Sequence, residues 1–164
     1  MIDEKYKRDV IILDIPNVFV QTYIALDGDK IIMNIRGQLV DIIIEICPGV
    51  YDKYVKYQGN RNILYVQVLI ALYGMLNSSI LYYKTFRDYI ETIGFEINPY
   101  DICEGNQTKY GKQQILTWHI NDLKSIHMNT KVNDEFSEWR KETYGCDNLG
   151  HVKVVREQIT TTWV

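Results

Sequence analysis

The 164-residue sequence has little of several features that define specialised protein classes. It has three cysteines, far apart and without a CxxC pair, which disfavours a disulfide framework and a zinc site. No apolar run reaches the roughly 18 residues that a membrane-spanning helix needs, and the first residues lack the apolar region of a secretion signal. A net charge of −3 provides no overall basic field to attract nucleic acid. These absences predict a soluble, intracellular protein with reduced thiols.

The composition is that of an ordinary globular chain. Hydrophobic residues make up 46% and charged residues 24%, and 164 residues fit one domain with a real core. Apolar periodicity and turn residues predict a mixed α+β fold in which helices pack on an antiparallel-rich sheet. The predicted strands are residues 9–14, 30–35, 63–69, 114–120 and 151–155, with a further strand resuming at Leu123. The predicted helices are residues 39–46, 77–93 and 132–144; the apolar run 39–46 also suits a buried strand, and we favour the helix.

Two acidic centres stand at the ends of predicted strands. The apolar run 10–13 ends on Asp14, and the strand before Asn121-Asp122 breaks at that polar pair, as at a tight hairpin turn. If the two strands lie side by side, Asp14 and Asp122 meet at one end of a sheet. Converging carboxylates of this kind bind Mg²⁺, which prefers oxygen ligands and usually shares its coordination with substrate phosphates.

Four blocks of the sequence, in order, resemble the reverse transcriptases of Ty1/copia-type retrotransposons. They are residues 8–22 around Asp14, residues 71–79 (ALYGMLNSS), residues 94–103 (GFEINPYDIC) and residues 119–122 (HIND), at the place of the family's YVDD box. The resemblance implies a truncated reverse-transcriptase-like palm with some fingers elements over residues 1–156, followed by a divergent tail over residues 157–164. It also implies RNA-directed DNA synthesis in the cytoplasm, with two Mg²⁺ ions, a nucleic-acid template-primer and a dNTP, and no membrane partner.

The resemblance also assigns roles to particular positions. Asp14, Asn121 and Asp122 take the positions of the catalytic metal ligands, with Asp14 bridging both ions. The ring of Phe19, five residues after Asp14, corresponds to a steric gate against a ribose 2′-hydroxyl. Contacts with the nucleotide and the template are implied for the remaining matched residues: Asn17 and Val18 at the triphosphate, Tyr73 and Gly74 against the incoming nucleotide, and Asn77 and Ser78 near the template strand.

Two departures from the family pattern predict that polymerase activity has been lost. In the family, the first acid of the box is the essential ligand, and here that position is the neutral Asn121. The missing charge should weaken metal binding and should cost several kcal/mol of transition-state stabilisation. After Arg156 the family has Gly and then an H-x-Y-L-G strand, whereas this chain continues Glu157-Gln158-Ile159. We therefore expect an inactive fragment in which the thumb, connection, RNase H and other Gag-Pol segments are missing.

Plainer interpretations remain open at each position. Asp14 also suits a turn or cap after a strand, Asn121-Asp122 also suits a simple hairpin turn, and Phe19 and Tyr73 also suit core packing. At the level of the whole chain, the alternatives are a non-catalytic nucleic-acid-binding or protein-binding remnant of the same scaffold, and a product without function that folds marginally.

Overall fold

The computed structural model describes residues 7–24, 30–145 and 154–157. Contacts divide the chain into two compact units, one made of Met1–Thr22 with Leu72–Val164 and the other of Tyr23–Ala71. Within the described residues, nine strands and three α-helices form a mixed α+β fold in which every strand pairing is antiparallel. This confirms the predicted α+β class. The boundary between residues 156 and 157 stays a prediction.

The larger unit contains a six-stranded sheet with strand order β5-β6-β7-β8-β1-β9. Strand β1 therefore has a neighbour on each side, β8 and β9, which is the usual position for a strand as apolar as its sequence DVIILD. The strands of this sheet are β1 (Asp9–Asp14), β5 (Glu96–Ile97), β6 (Glu104–Lys109), β7 (Lys112–His119), β8 (Asp122–His127) and β9 (Val154–Glu157).

Two helices contribute to the core of this unit. Helix α2 (Ser78–Thr92) buries Ser78, Tyr82, Phe86 and Ile90, a spacing of four that lines one helix face. Helix α3 (Thr130–Tyr144) begins where the Asn129 side chain accepts a hydrogen bond from the Lys131 backbone N–H. Buried residues of both helices join one cluster with buried residues of the sheet: Ile11, Leu13, Leu116, Trp118 and Leu123 from the sheet, and Tyr82, Phe86, Ile90, Phe136 and Tyr144 from the helices.

A chain of buried polar side chains fixes α3 against the central strands. Gln114 Nε2 donates to Ser125 Oγ at 2.9 Å, and Ser125 Oγ donates to Asn133 Oδ1 at 2.8 Å. Asn133 Nδ2 then donates to the Asp9 carbonyl at 3.0 Å and to its carboxylate at 2.8 Å. Because a slip of one residue would leave these buried groups unpaired, the network helps to fix the register of β7, β8 and β1.

The smaller unit has a three-stranded sheet and one α-helix. Its strands are β2 (Ile32–Arg36), β3 (Lys56–Gln58) and β4 (Arg61–Gln67), in the order β2-β4-β3, and its helix is α1 (Gln38–Ile46). Helix α1 follows Gly37, whose φ of 63° suits glycine. The helix predicted over residues 39–46 is thus confirmed.

Sequence patterns did not predict three of the strands, β3, β5 and β6. Strand β6 has the sequence EGNQTK, without an apolar residue to reveal a buried face. Strand β5 has only two residues and β3 only three, too few for a periodic pattern to show. These strands exist because neighbouring strands complete their hydrogen bonds, which apolar periodicity alone does not reveal. Cys146, residues 151–153 of the strand predicted over 151–155, and the tail after residue 157 lie outside the described residues.

Candidate functional site

The strand pairing brings the two predicted acidic centres together. Strand β1 pairs with β8 so that Asp14 lies opposite Asp122, at the end of both strands. Asp14 is half-buried and Asp122 is exposed. Directly opposed residues of an antiparallel pair have Cβ atoms about 4.5–5.5 Å apart, so two carboxylates there repel each other unless positive charge or hydrogen bonds compensate.

The hairpin turn lies one residue earlier than the sequence predicted. His119 pairs with Asp122, which leaves Ile120 and Asn121 as the turn and makes Asp122 the first residue of β8. Ile120 has a φ of 53°, a rare conformation for a β-branched residue and a strained one. The Asn121 carbonyl accepts a hydrogen bond from the Ile15 N–H at 2.9 Å, which joins this turn to the end of β1.

The side chain of Asn121 is directed at Asp14. Asn121 Nδ2 donates to Asp14 Oδ1 at 2.6 Å. Only the NH₂ group of an amide can donate to a carboxylate, so the chemistry itself fixes the orientation of this amide. The hydrogen bond satisfies one oxygen of Asp14 with a neutral partner.

Asp14 has a second neighbour, which the sequence did not indicate. Arg140 of helix α3 is fully buried and donates from Nη1 to the Asp14 carbonyl oxygen at 2.6 Å. Burial lowers the pKa of Arg140 to about 10, while the nearby charge of Asp14 acts in the opposite direction. Arginine in the middle of a polar helix usually lies in solvent, so the sequence carries no signal for this contact.

The residues predicted to contact the nucleotide lie just beyond β1. Asn17 has a φ of 53° and precedes the 3₁₀ helix Val18–Gln21, in which Val18 is buried. The ring of Phe19 is half-buried and meets the ring of Tyr73 edge-on, with 4.9 Å between centroids. Tyr73 is 60% exposed, so this pair forms an aromatic surface near the end of β1.

The last three matched residues lie at the start of α2 or in the turn before it. Gly74 has a φ of 89°, and a Cβ built there would meet nothing within 4 Å. Asn77 is exposed and precedes the helix without a side-chain capping bond. Ser78 is buried, and its Oγ donates to the Leu72 carbonyl at 2.7 Å. The proton of the Ser78 hydroxyl is thus already donated to a hydrogen bond within the protein.

The possible metal ligands around Asp14 do not fit the pair of Mg²⁺ ions that the resemblance implies. Two such ions need several anionic oxygens, whereas this site provides two carboxylates and an amide whose nitrogen already bonds to one of them. Within the described residues there is no group of three or more His, Cys, Asp or Glu side chains that could hold a metal ion. No chemical step through magnesium follows from this geometry.

The described residues thus define a mixed α+β fold with antiparallel sheets and an acidic strand end. No protein-family model matches the chain, and no curated protein matches it. It is similar to a solved structure of apo telomerase from Candida tropicalis truncated from the C-terminal domain, with a TM-score of 0.41 and 13% sequence identity. The similarity covers 98% of this chain and 34% of that one, so this chain spans about a third of its length. A likeness at this level carries no argument about function.

No helix in the described ranges is both long and apolar enough to span a bilayer.

Proposed function

We propose that this chain is a palm-type fragment of a copia-type reverse transcriptase that retains the scaffold of an RNA-directed DNA polymerase but not its chemistry. The observation that carries the proposal is the pairing of Asp14 with Asp122 at the end of two adjacent antiparallel strands. A nucleotidyl-transferring palm needs such a pair, because converging carboxylates would hold the divalent ions that offset the negative charge when a primer 3′-hydroxyl attacks an α-phosphate in line.

The aromatic pair near the end of β1 supports the same assignment. Phe19 follows Asp14 by five residues and contacts Tyr73; by resemblance, Phe19 is the steric gate against a ribose 2′-hydroxyl and Tyr73 lies against the incoming nucleotide. Phe19 also lies 6.2 Å from Tyr82 between ring centroids, so the core supports its ring from behind. A supported aromatic ring of this kind is rigid enough to act as a steric gate or as a stacking surface.

We infer the loss of polymerase activity from the hydrogen bond between Asn121 and Asp14. An aspartate at position 121 would place a third carboxylate beside the other two and would require cations to offset their repulsion. The asparagine satisfies Asp14 without any cation, since its amide donates to the carboxylate directly. The site is therefore stable as a hydrogen-bonded end of a hairpin and has a weak demand for a divalent ion.

The second candidate is a non-catalytic scaffold that binds nucleic acid. It is favoured by the exposure of Tyr73 next to Phe19, because bases stack on exposed aromatic rings without a need for metal ions. Both candidate functions imply a nucleic-acid template-primer as the partner. Only the polymerase assignment implies a dNTP as well.

Primer extension on an RNA template in Mg²⁺ or Mn²⁺ tests the proposal. The unmodified chain should not extend, and Asn121→Asp should gain Mn²⁺-dependent incorporation that Asp14→Asn abolishes in the double variant. Asn60→Asp makes the same chemical change at an exposed turn and is the matched control.

Extension by the unmodified chain would show that the chemistry is not lost. If neither protein extends but both bind the template-primer in a fluorescence anisotropy titration, the non-catalytic scaffold replaces the polymerase assignment. Absence of both extension and binding would reject both candidates.

A further inference from the structure

One face of the three-stranded sheet β2-β4-β3 is basic. Its three strands, IMNIR, KYQ and RNILYVQ, contain no Asp or Glu. Directly opposed residues of antiparallel strands share a face, and successive residues alternate between faces. We call the face that carries the cations the basic face; besides two glutamines and a second isoleucine, the register places on it Asn34, Arg36, Lys56, Arg61, Ile63 and Tyr65. All of its members except Ile63 are exposed.

The opposite face of the same sheet is the packed one. Leu64 is buried, and Ile35 and Val66 are half-buried. On this face Asn62 Nδ2 donates to the Asp41 carboxylate of helix α1 at 2.5 Å. The basic face is therefore the side of the sheet that remains exposed.

The three cations of the basic face have no anionic partner in the protein. Among the described residues, Arg36, Lys56 and Arg61 form no ion pair, and Arg36 Nε donates to the neutral Asn34 Oδ1 at 3.2 Å. Arg36 and Lys56 lie opposite Ile63 from its two sides, so about 10 Å separates their Cα atoms across three strands. Cations spread over this distance suit a chain of negative charges better than a single anion, although the whole protein has a net charge of −3.

Tyr65 adds an aromatic surface to these cations. It follows Ile63 by two residues on β4, lies opposite Asn34 and is 50% exposed. Bases of a single strand are available to stack on such a ring, whereas the bases of a duplex are already paired and stacked on one another. Cations beside an exposed aromatic ring on one sheet face therefore favour a single-stranded polyphosphate as the ligand.

We propose that the basic face binds single-stranded nucleic acid, with its cations on backbone phosphates and Tyr65 against a base. Binding of this kind needs no metal ion. The inference rests on the proposed nucleic-acid-binding scaffold for its class of ligand. It adds an interface on the smaller unit, made of residues to which neither candidate function assigns a role.

Fluorescence anisotropy with a labelled oligouridine of about 16 nucleotides, without divalent ions, tests the inference. The triple variant Arg36→Gln, Lys56→Gln, Arg61→Gln should raise the dissociation constant at least about 30-fold at low salt, because three phosphate contacts are lost. It should also lower the magnitude of the slope of log affinity against log salt by about 2, since each contact with a single strand contributes about 0.7.

A second triple variant controls for net charge. Lys84→Gln, Lys112→Gln, Lys131→Gln removes the same charge from exposed positions of the larger unit. It should change the dissociation constant less than about threefold, because salt screens distant surface charges. Equal losses in the two triple variants would overturn the inference, since they would show that overall charge and not the basic face sets the affinity.

The stacking contact is tested by two tyrosines of one sheet. Tyr65→Ala should weaken oligouridine binding by about tenfold and leave the salt slope unchanged, because it removes a base contact and no charge. Tyr57→Ala is the matched control, since Tyr57 is 79% exposed and points to the opposite face. A loss in Tyr57→Ala as large as in Tyr65→Ala would contradict the assignment of the face.

The ligand class is tested with the unmodified protein. No binding of oligouridine, or equally tight binding of a duplex of the same length, would overturn the inference. Equally tight binding of polyglutamate would also overturn it and would assign the face to acidic polypeptides.

Failure of this inference is distinguishable from failure of the proposed function. If Tyr73→Ala abolishes oligouridine binding and the basic-face triple variant does not, the inference is wrong and the scaffold near β1 stands. If the triple variant loses binding while Asn121→Asp shows no primer extension, the inference stands and the polymerase assignment fails.

Discussion

Asn121 and Asp14 are 107 residues apart in sequence, and their side chains form a 2.6 Å hydrogen bond across the pairing of β1 with β8. The bond joins a hairpin turn to the end of the central strand, where it meets the contact from Arg140 to the Asp14 carbonyl. One oxygen of the Asp14 carboxylate is thus satisfied by the protein itself. The same hydrogen bond stabilises the strand end and underlies the low demand for metal that we propose.

Removing the amide of Asn121 should destabilise this strand end. We expect Asn121→Ala to lower the free energy of unfolding by about 1–3 kcal/mol, because it removes a hydrogen bond to a charged, half-buried group. Urea denaturation followed by circular dichroism measures the change. Asn60→Ala, at an exposed turn, is the matched control and should stay within about 0.5 kcal/mol of the unmodified protein. Equal effects of the two substitutions would contradict the assignment.

The turn residue Ile120 should be replaceable with a gain in stability. Its φ of 53° is disfavoured for a β-branched side chain, and the side chain is 43% exposed, so glycine relieves strain and loses little packing. We expect Ile120→Gly to raise the free energy of unfolding by about 0.5–1 kcal/mol. Ile102→Gly is the control, since Ile102 is 60% exposed and is not among the residues with positive φ. The control should not stabilise; a gain there too would rule out relief of strain as the cause.

The stability of the protein should depend on the Ser125 hydroxyl in the buried polar network of Gln114, Ser125 and Asn133. Ser125→Ala leaves Gln114 Nε2 without its acceptor and Asn133 Oδ1 without its donor, both in the buried interior. We expect a loss of about 2–4 kcal/mol in the free energy of unfolding, since two buried groups lose their partners together. Ser79→Ala, on the exposed start of α2, should change stability little. A loss below about 0.5 kcal/mol at Ser125 would show that the network is dispensable.

Two buried tyrosines should make the protein sensitive to alkaline pH. Burial raises the pKa of Tyr82 and of Tyr144 well above the ordinary value of 10.0. Above that value the unfolded chain ionises these phenols while the folded chain does not, so the free energy of the unfolded state is lowered and stability falls as pH rises. The lowered pKa of Arg140 has the opposite effect on stability, from about pH 10 upward. Because one arginine opposes two tyrosines, we expect a net fall in stability.

The measurement for this prediction is a set of unfolding curves between pH 8 and about 11, a range set by the tyrosine and arginine pKa values. Tyr82→Phe should flatten the alkaline fall in stability. At neutral pH it should cost little, because within the described residues the Tyr82 hydroxyl has no hydrogen-bond partner to lose. Tyr100→Phe is the control, since Tyr100 is 97% exposed. An equally steep fall in Tyr82→Phe and in the unmodified protein would contradict the burial argument.

The sequence predicted the parts of the fold that strong apolar patterns encode. The run ending on Asp14 predicted β1, and the apolar spacing between Ile80 and Ile90 predicted α2, with bounds close to those observed. The buried face of α2 is formed by Tyr82, Phe86 and Ile90, whereas Ile80 is exposed. The meeting of Asp14 with Asp122 was predicted as a condition on strand pairing, and the register fulfils it.

The parts that the sequence did not predict depend on tertiary partners. Strand β6 has no apolar residue and is a strand because β5 and β7 complete its backbone hydrogen bonds. The position of the hairpin turn depends on Ile120 accepting a positive φ, which propensity argues against. The contact of Arg140 with Asp14 spans 126 residues and follows from how α3 packs, so no local pattern could reveal it.

The measurement that most directly tests the central claim is a calorimetric titration of Mn²⁺ and Mg²⁺ into the unmodified protein, Asn121→Asp and Asn60→Asp. The account predicts no saturable binding to the unmodified protein or to Asn60→Asp. It predicts saturable binding to Asn121→Asp, whose third carboxylate adds a negative charge beside Asp14. Binding to the unmodified protein as tight as to Asn121→Asp would contradict the claim that Asn121 and the fold have replaced the metal at Asp14.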